Sequence, residues 1–393
     1  MRILYVAMKH DYGDPARGPS FEQCAFHDSL VGMGCDVLHF DAVASAQSIG
    51  PRKTTARLRE IVDAEQPDAL FCVLFTDELD RTLFRKISDE TPTPTINWFC
   101  DDHWRFDDYS SDWAPCFNHV VTTAASAVPK YHALRGVNMI KSQWAANPFT
   151  YRRAPDAEMK YDVSFVGLPH GNRRAIAEVL THAGLKVDLF GHGWGHGRIT
   201  QQQMIEVFNT SRISLNLSNA STVTARGRST NLEENPRLHQ LARLPKVGRY
   251  AAGVYRRALR ARAKLLPAPR SRPLRPDDIH LGEAQQIKGR NFEVPGCGGF
   301  LLSGPAQELE RYYETGKEIE TFASVQELID KARHYLAHDD QRRAIADAGY
   351  RRTQNEHTWC HRFADIFNAA GLDTPPVESL LRPASPGTSH EVS

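Results

Sequence analysis

The chain has 393 residues, 41% of them hydrophobic and 24% charged, with a formal net charge of +1. That is enough chain for two globular domains with their own cores, and too balanced a charge for a nucleic-acid binder organised by its overall field. Seven cysteines (24, 35, 72, 100, 116, 297 and 360), odd in number and without a C-x-x-C pair, fit free thiols in a reducing compartment, neither a disulfide framework nor a zinc site. The opening "MRILYVAM" is too short an apolar run for a signal peptide, and no run approaches a membrane span, so the expected location is the cytoplasm.

From Met1 to about residue 150 short apolar runs alternate with amphipathic stretches, the pattern of parallel βαβ units. Strands are predicted at Ile3–Ala7, Asp36–Phe40, Ala69–Leu74, Thr95–Phe99, His119–Thr122 and Met139–Lys141. Helices are predicted at Phe21–Met33, Thr54–Glu65, Leu79–Asp89 and Ser126–Leu134. In such sheets ligands bind at the carboxyl ends of the strands. Two of those ends carry chemistry. "KHDYGDPARGPSFE" follows the first strand, and "NWFCDDHWRF" places Asp101, Asp102, His103 and Trp104 at the tip of another. Adjacent carboxylates with a histidine can bind sugar hydroxyls, act as a base or shift each other's pKa, and aromatic rings suit the faces of a sugar. Helix capping by Asp102 or Asp107, and a metal-binding D-x-D analogue, are the other readings of the same residues.

A second βα series opens at "YDVSFVGLPHGNRRAIAEVL", with a strand at Val163–Val166, Gly167 and Gly171 in the loop, and a helix from about Arg173. Glycines before a helix start let backbone approach phosphate, and Arg173 or Arg174 adds charge. The strand Val187–Gly191 leads into "GHGWGHG". There His192 and His196 sit among too many glycines to form a metal-binding helix, and the loop is read as contacting a base or sugar. The strand Ile213–Ser218 ends near Asn216 and Asn219.

Residues 225–280 then carry fourteen Arg and Lys against four acids. Val247, Tyr250, Val254, Ala258, Ala261 and Leu265 form an apolar stripe among cations, so the stretch about 246–266 could lie on an anionic membrane, dock on the domain, bind a nucleic acid or partner protein, or be a mobile insertion. "QIKGRNFEVPGCGGFLLSG" follows. Lys288 and Arg290 precede Glu293 in a short helix, and a Gly296-Cys297-Gly298-Gly299 turn leads into a strand. Cations and helix N–H groups take phosphates, while a carboxylate accepts hydrogen bonds from ribose hydroxyls. Ser324 with Glu327 reads as a capping box for a helix through Tyr335, and another helix is predicted at Asp340–Glu356.

The donor-like segment, "sFvG…R" from Ser164, the "LN" of Leu215-Asn216, W-x-x-D-D near Trp98 and "H-T-W-x-x-R" from His357 together resemble the GT-B glycosyltransferases related to the spore-maturation protein CgeB. The resemblance covers most of the chain, and is strongest at 162–191 and 288–362. It implies an α/β fold of two Rossmann-like domains facing a cleft: an acceptor-side domain at 1–150, a donor domain at 160–356 with its basic insertion at about 225–280, and a helix at 357–372 crossing back. A Pro- and Ser-rich tail at 374–393 is expected to be disordered.

The implied reaction moves a sugar from a nucleoside-diphosphate sugar to a hydroxyl on a glycan, lipid or protein, without a metal or other cofactor. Gly167, Arg173, Asn216, Lys288, Arg290, Glu293, Gly296, Gly298 and Gly299 would serve the donor, and Asp101, Asp102 or His103 the reacting hydroxyl. Retaining members carry two glutamates eight positions apart; Glu293 matches the second, but Gln285 stands at the first. A nucleotide-sugar epimerase on the same fold, and a non-catalytic nucleotide-sugar-binding scaffold, are the alternatives. No nucleic-acid partner is expected, and peripheral contact with the inner face of a membrane through 246–266 would suit a lipid-linked acceptor.

Overall fold

The computed structural model describes residues 1–217, 273–281, 287–382 and 385–392. The N-terminal apolar runs form β1 (Arg2–Val6), β2 (Asp36–Phe40), β3 (Ala69–Cys72), β4 (Thr95–Phe99), β5 (His119–Thr122) and β6 (Asn138–Lys141). The interiors of β1 to β5 are almost wholly buried, as expected for a parallel sheet covered on both faces, while β6 at the sheet edge is only half-buried. The next series gives β7 (Tyr161–Val166), β8 (Val187–Phe190), β9 (Ser211–Asn216), β10 (Leu301–Ser303) and β11 (Glu320–Thr321), and β12 (Ser389–Glu391) lies at the chain end.

Two all-parallel sheets result, ordered β12-β2-β1-β3-β4-β5-β6 and β11-β10-β9-β7-β8. In each, the strand order reverses beside the first strand of the series, between β1 and β3 and between β7 and β9. Crevices for ligands form outside the carboxyl ends at such points.

Local sequence explains most helices. Asp41, Asp80 and Thr200 accept from the backbone N–H of the first turns they precede. Ser324 accepts from the Glu327 N–H at 3.1 Å, but the Glu327 carboxylate reaches the N–H of Ala323, one residue earlier than a strict capping box. The predicted helix at Phe21–Met33 is split: Gln23–His27 is a wide π-turn leading into Asp28–Gly32. A second π-turn spans Phe106–Ser110. Wide turns of this kind often mark functional sites, and these two flank one cavity.

The helix Trp359–Ala369 leaves the second sheet and packs on the first. The Trp359 ring lies 4.5 Å from Phe26 and 5.4 Å from Trp98, and Phe363 lies 5.4 Å from Phe71. The connector is sewn to its start, because Ala146 N–H donates to His357 O at 3.1 Å and Trp359 N–H to Ala146 O at 3.0 Å. One apolar core therefore runs from the first sheet through this helix to Phe208 and Phe292 beneath the second.

The tail departs from expectation. It is structured: Val377–Leu381 is a helix with Leu380 buried, and β12 adds to the edge of β2. Thr388 Oγ1 donates to Asp36 at 2.7 Å, and Ser389 Oγ is 2.8 Å from His27 Nε2. A Cβ on Gly387 would lie 1.8 Å from the Cys35 carbonyl, so only glycine admits this approach. Pro- and Ser-rich composition registers a weak core, but it is blind to an edge strand whose open N–H and C=O groups await a partner.

Among the described residues, no helix is long and apolar enough to cross a membrane. The basic segment is described only at 273–280, so the stretch 246–266 and Asn219 lie outside the described residues, as does Gln285.

Candidate active site

On the first sheet, the carboxyl ends of β1, β3 and β4 open into a cavity of about 210 Å³ lined by Asp11, Tyr12, Glu22, Asp101, Arg105 and Tyr109 among others. Glu22 begins the first π-turn, and its carbonyl accepts from the Tyr5 hydroxyl at 2.9 Å. Burial pushes the Glu22 carboxyl up to about 7. Asp11 and Asp101 add to the rise, while hydrogen bonds from Ser20 and the backbone oppose it. A carboxylate poised near neutrality in a concave site is suited to taking a proton.

The predicted trio divides here. Asp101 lines the cavity, and its side chain makes no cap hydrogen bond although the residue stands at the head of the helix Asp102–Arg105. Asp102 does not line it: its Oδ2 accepts from the Tyr131 hydroxyl at 2.9 Å in the core. Burial pushes the Asp102 carboxyl up against the hydrogen bonds of Ser110, Thr122 and Tyr131, which makes it a structural pin. His103 is half-buried and is not among the lining residues. Successive residues at a helix start point in different directions, so only one of an adjacent pair of carboxylates faces the space.

On the second sheet, the ends of β9 and β10 meet the helix Arg290–Gly296. Glu293 is 2% exposed and accepts from Arg290 Nη1, whose side chain is 28% exposed. Burial works against the Arg290 charge, but Glu293 and then Tyr151 outweigh it and hold its pKa above the ordinary arginine value. This pair and the half-buried Lys288 fit a nucleoside diphosphate, with cations for the phosphates and a carboxylate for the ribose.

The remaining predicted donor residues serve the frame instead. Asn216 Nδ2 donates to Asn291 Oδ1 at 2.8 Å and to Ser303 Oγ at 3.2 Å, tying the helix to β9 and β10. Arg173 is spent on backbone, donating to Leu217 O from Nε at 3.1 Å and Nη2 at 2.8 Å, and to Leu168 O from Nη1 at 2.8 Å. Burial, then Arg290, lowers its pKa to about 10, so it stays charged at neutral pH and contributes field rather than free donors.

Gly167 lies beneath Phe165, whose ring a Cβ would meet at 2.8 Å. The turn expected to admit phosphates is packed as well. A Cβ on Gly296 would meet Ala146 at 2.8 Å, one on Gly298 would meet Arg153 Nε at 2.4 Å, and one on Gly299 the Phe208 carbonyl at 3.0 Å. These glycines stand at the C-terminal end of the helix, and smallness there lets it seat against the connector. The "GHGWGHG" loop is equally tied down: Trp194 Nε1 donates to Gly167 O at 2.8 Å, and His196 stacks on Phe190 at 4.4 Å.

Ion pairs bridge the two halves, and the connector is tied to the first. Arg198 Nη1 reaches Asp11 Oδ2 at 2.9 Å, Lys141 Nζ reaches Glu308 Oε2 at 3.2 Å, and Asn147 Nδ2 donates to the Cys24 carbonyl at 3.0 Å. Burial, followed by Asp28, Glu293 and Glu22, pushes the Cys24 thiol up to about 12, so it feels the carboxylates of both halves. Glu22, Asp11, Arg198 and Tyr151 were not picked out from the sequence. Two of them, Asp11 and Glu22, sit in the long loop after the first strand, whose position at a strand's carboxyl end was the available signal.

Several solved proteins resemble this chain in fold over nearly its whole length. The Anabaena protein HepE, solved with UDP-glucose, superposes with a TM-score of 0.56 at 9% identity, over 95% of this chain and 100% of that one. The fold is GT-B. Sucrose-phosphate synthase from Thermosynechococcus elongatus (TM-score 0.53, 8% identity, 94% and 98% covered) and the β-glucosyltransferase of phage T4 (0.50, 12%, 95% and 100%) share it. A glycosyl transferase-like family model matches residues 246–368, a span that includes Lys288, Arg290 and Glu293. No curated protein matches the chain in sequence.

Proposed function

We propose that this GT-B chain transfers a sugar from a nucleoside-diphosphate donor to a hydroxyl acceptor. The observation that supports the reading is the buried Arg290–Glu293 pair of the second sheet in a GT-B frame whose first sheet carries Glu22 in a cavity at its strand ends. Lys288 and Arg290 hold the diphosphate, and Glu293 turns to the ribose. The acceptor occupies the cavity beneath Tyr12 and Tyr109. Its hydroxyl oxygen bonds to the anomeric carbon as its proton passes to Glu22, the bond to the diphosphate oxygen breaks, and the two cations stabilise the leaving charge. Those cations do the work a metal would otherwise do, so transfer is expected to survive EDTA. Asp101 orients the acceptor beside Glu22.

The motifs resemble those of the CgeB-related group, a hexose is the expected sugar, and UDP-glucose, with which HepE was solved, is the first donor to try. The basic stretch 246–266 would bring the protein to the cytoplasmic face of an anionic bilayer carrying a lipid-linked acceptor, which co-sedimentation with anionic vesicles tests. The deciding experiment is a thermal-shift panel of UDP, GDP, dTDP and CMP with their sugars on wild type and Glu293→Ala. A shift with one base, lost in the variant, supports the donor site; no shift with any of them overturns it. NMR of the donor alone separates transfer from epimerisation.

A further inference from the structure

A second and larger cavity, of about 590 Å³, opens at the amino ends of β9 and β10 in the second sheet. It lies between the connector around 153–159, the first residues of β9, the C-terminal end of the Glu293 helix and the helix Asp339–Glu356. Its size falls within the range of small-molecule pockets. Its lining includes four arginines, Arg153, Arg212, Arg342 and Arg343, against two acids, Glu158 and Asp347.

The arginines are unevenly matched. Arg153 pairs with Asp347 and lies over the Tyr350 ring at 4.6 Å. The other three crowd one carboxylate, that of Asp339: Arg343 at 2.6 Å, Arg212 at 3.5 Å, and Arg342. Arg212 also approaches Asp162, at 3.4 Å. Both Arg212 distances exceed the roughly 2.7–2.9 Å of a charge-assisted hydrogen bond, so its guanidinium fork is loosely held. Arg342 has a 5% exposed side chain and donates to the Tyr335 carbonyl at 2.6 Å, which fixes it in place. Burial lowers its pKa; Asp339 opposes this, and the nearby Arg212 and Arg343 add to the lowering. Phe208 and Phe300 provide an apolar wall beside these donors.

We infer that this cavity binds a small phosphorylated organic anion, its phosphate taken by Arg212, Arg342 and Arg343 and its body lying against Phe208 and Phe300. A lone inorganic phosphate would leave most of the space unfilled, and the phosphoryl oxygens would share with Asp339 the guanidinium groups that now surround its carboxylate.

The site is independent of the transferase reading, but a diphosphate probe would also visit Lys288 and Arg290. The test therefore uses a Lys288→Gln protein, titrated calorimetrically with inorganic pyrophosphate at constant ionic strength. Saturable binding is expected there, weakened about a hundredfold by Arg212→Gln with Arg343→Gln, about tenfold for each cation removed. Arg343, with a side chain 71% exposed, provides the gentler single variant if the pair folds poorly, with about a tenfold loss expected. No saturable binding, or binding that both substitutions leave unchanged, overturns the site. Absence of nucleotide binding by the wild-type protein, with this pyrophosphate binding intact, would count against the transferase reading alone.

Discussion

The two halves of the cleft hold their key carboxylates in opposite ways. Glu293 is buried against a cation, and Arg290 neutralises it within the same helix. Glu22 is half-buried with Asp11 and Asp101 for neighbours, and its proton is held to about pH 7. The first arrangement stores a charge pair that a ligand can rearrange without creating new charge. The second leaves a carboxyl that changes state under ordinary conditions. Binding groups benefit from being preorganised and compensated, whereas a proton acceptor must sit near its own midpoint.

Breaking the pair is the sharpest test of that contrast. Glu293→Ala leaves the Arg290 charge in a largely buried position, and is expected to lower unfolding stability by roughly 3 kcal/mol, read from urea melts, while abolishing donor binding. Glu293→Gln should restore much of the stability without the affinity. On the other side, Glu22→Gln is expected to lower kcat about 100-fold or more with donor binding intact. A Glu22→Gln enzyme with full turnover would falsify the base assignment.

The pH dependence separates the two carboxylates further. The folded pKa of Glu22 lies above its ordinary value of 4.5, so the fold binds this proton more tightly than the unfolded chain does. That contribution is present below about pH 4.5 and is lost as pH rises to about 7. Glu22→Gln should therefore match wild type in acid and exceed it by about 1–3 kcal/mol above neutrality, in melts run across that range. The rate should follow the reverse course, rising as pH passes 7 because the deprotonated form accepts the proton.

Smaller effects are expected at the margins. Gly387→Ala forces β12 off the edge of β2 at a cost of about 1–2 kcal/mol, visible as faster amide exchange in β2. Arg198→Ala removes a partly exposed ion pair to Asp11 and should change stability by less than about 1 kcal/mol. The donor KM should shift if the contact helps close the cleft, and that shift should fade in high salt.

Much of the architecture was legible because its signals are local. Apolar runs of strand length between amphipathic stretches mark parallel strands, and the starts of β2, β4 and β5 fall at the residues where the pattern places them. The Arg290-to-Glu293 spacing likewise made an ion pair legible, because residues three apart on a helix lie side by side. The glycines misled for a physical reason: a glycine that admits a ligand and one that admits a neighbouring element look alike in sequence, and Gly296, Gly298 and Gly299 are the second kind.

By itself, then, the sequence determined the strand–helix order, the motif around Glu293 and the resemblance to GT-B enzymes, all of which depend on neighbours along the chain. Only the tertiary structure decided that Asp101 faces the cavity while Asp102 bonds Tyr131, that Arg173 is spent on carbonyls, that the tail joins a sheet, and that Glu22 is a cavity-lining acid with a raised pKa. Each of these rests on desolvation or on contacts between residues far apart in sequence, and such distances come into being only when the two sheets and the returning helix pack together.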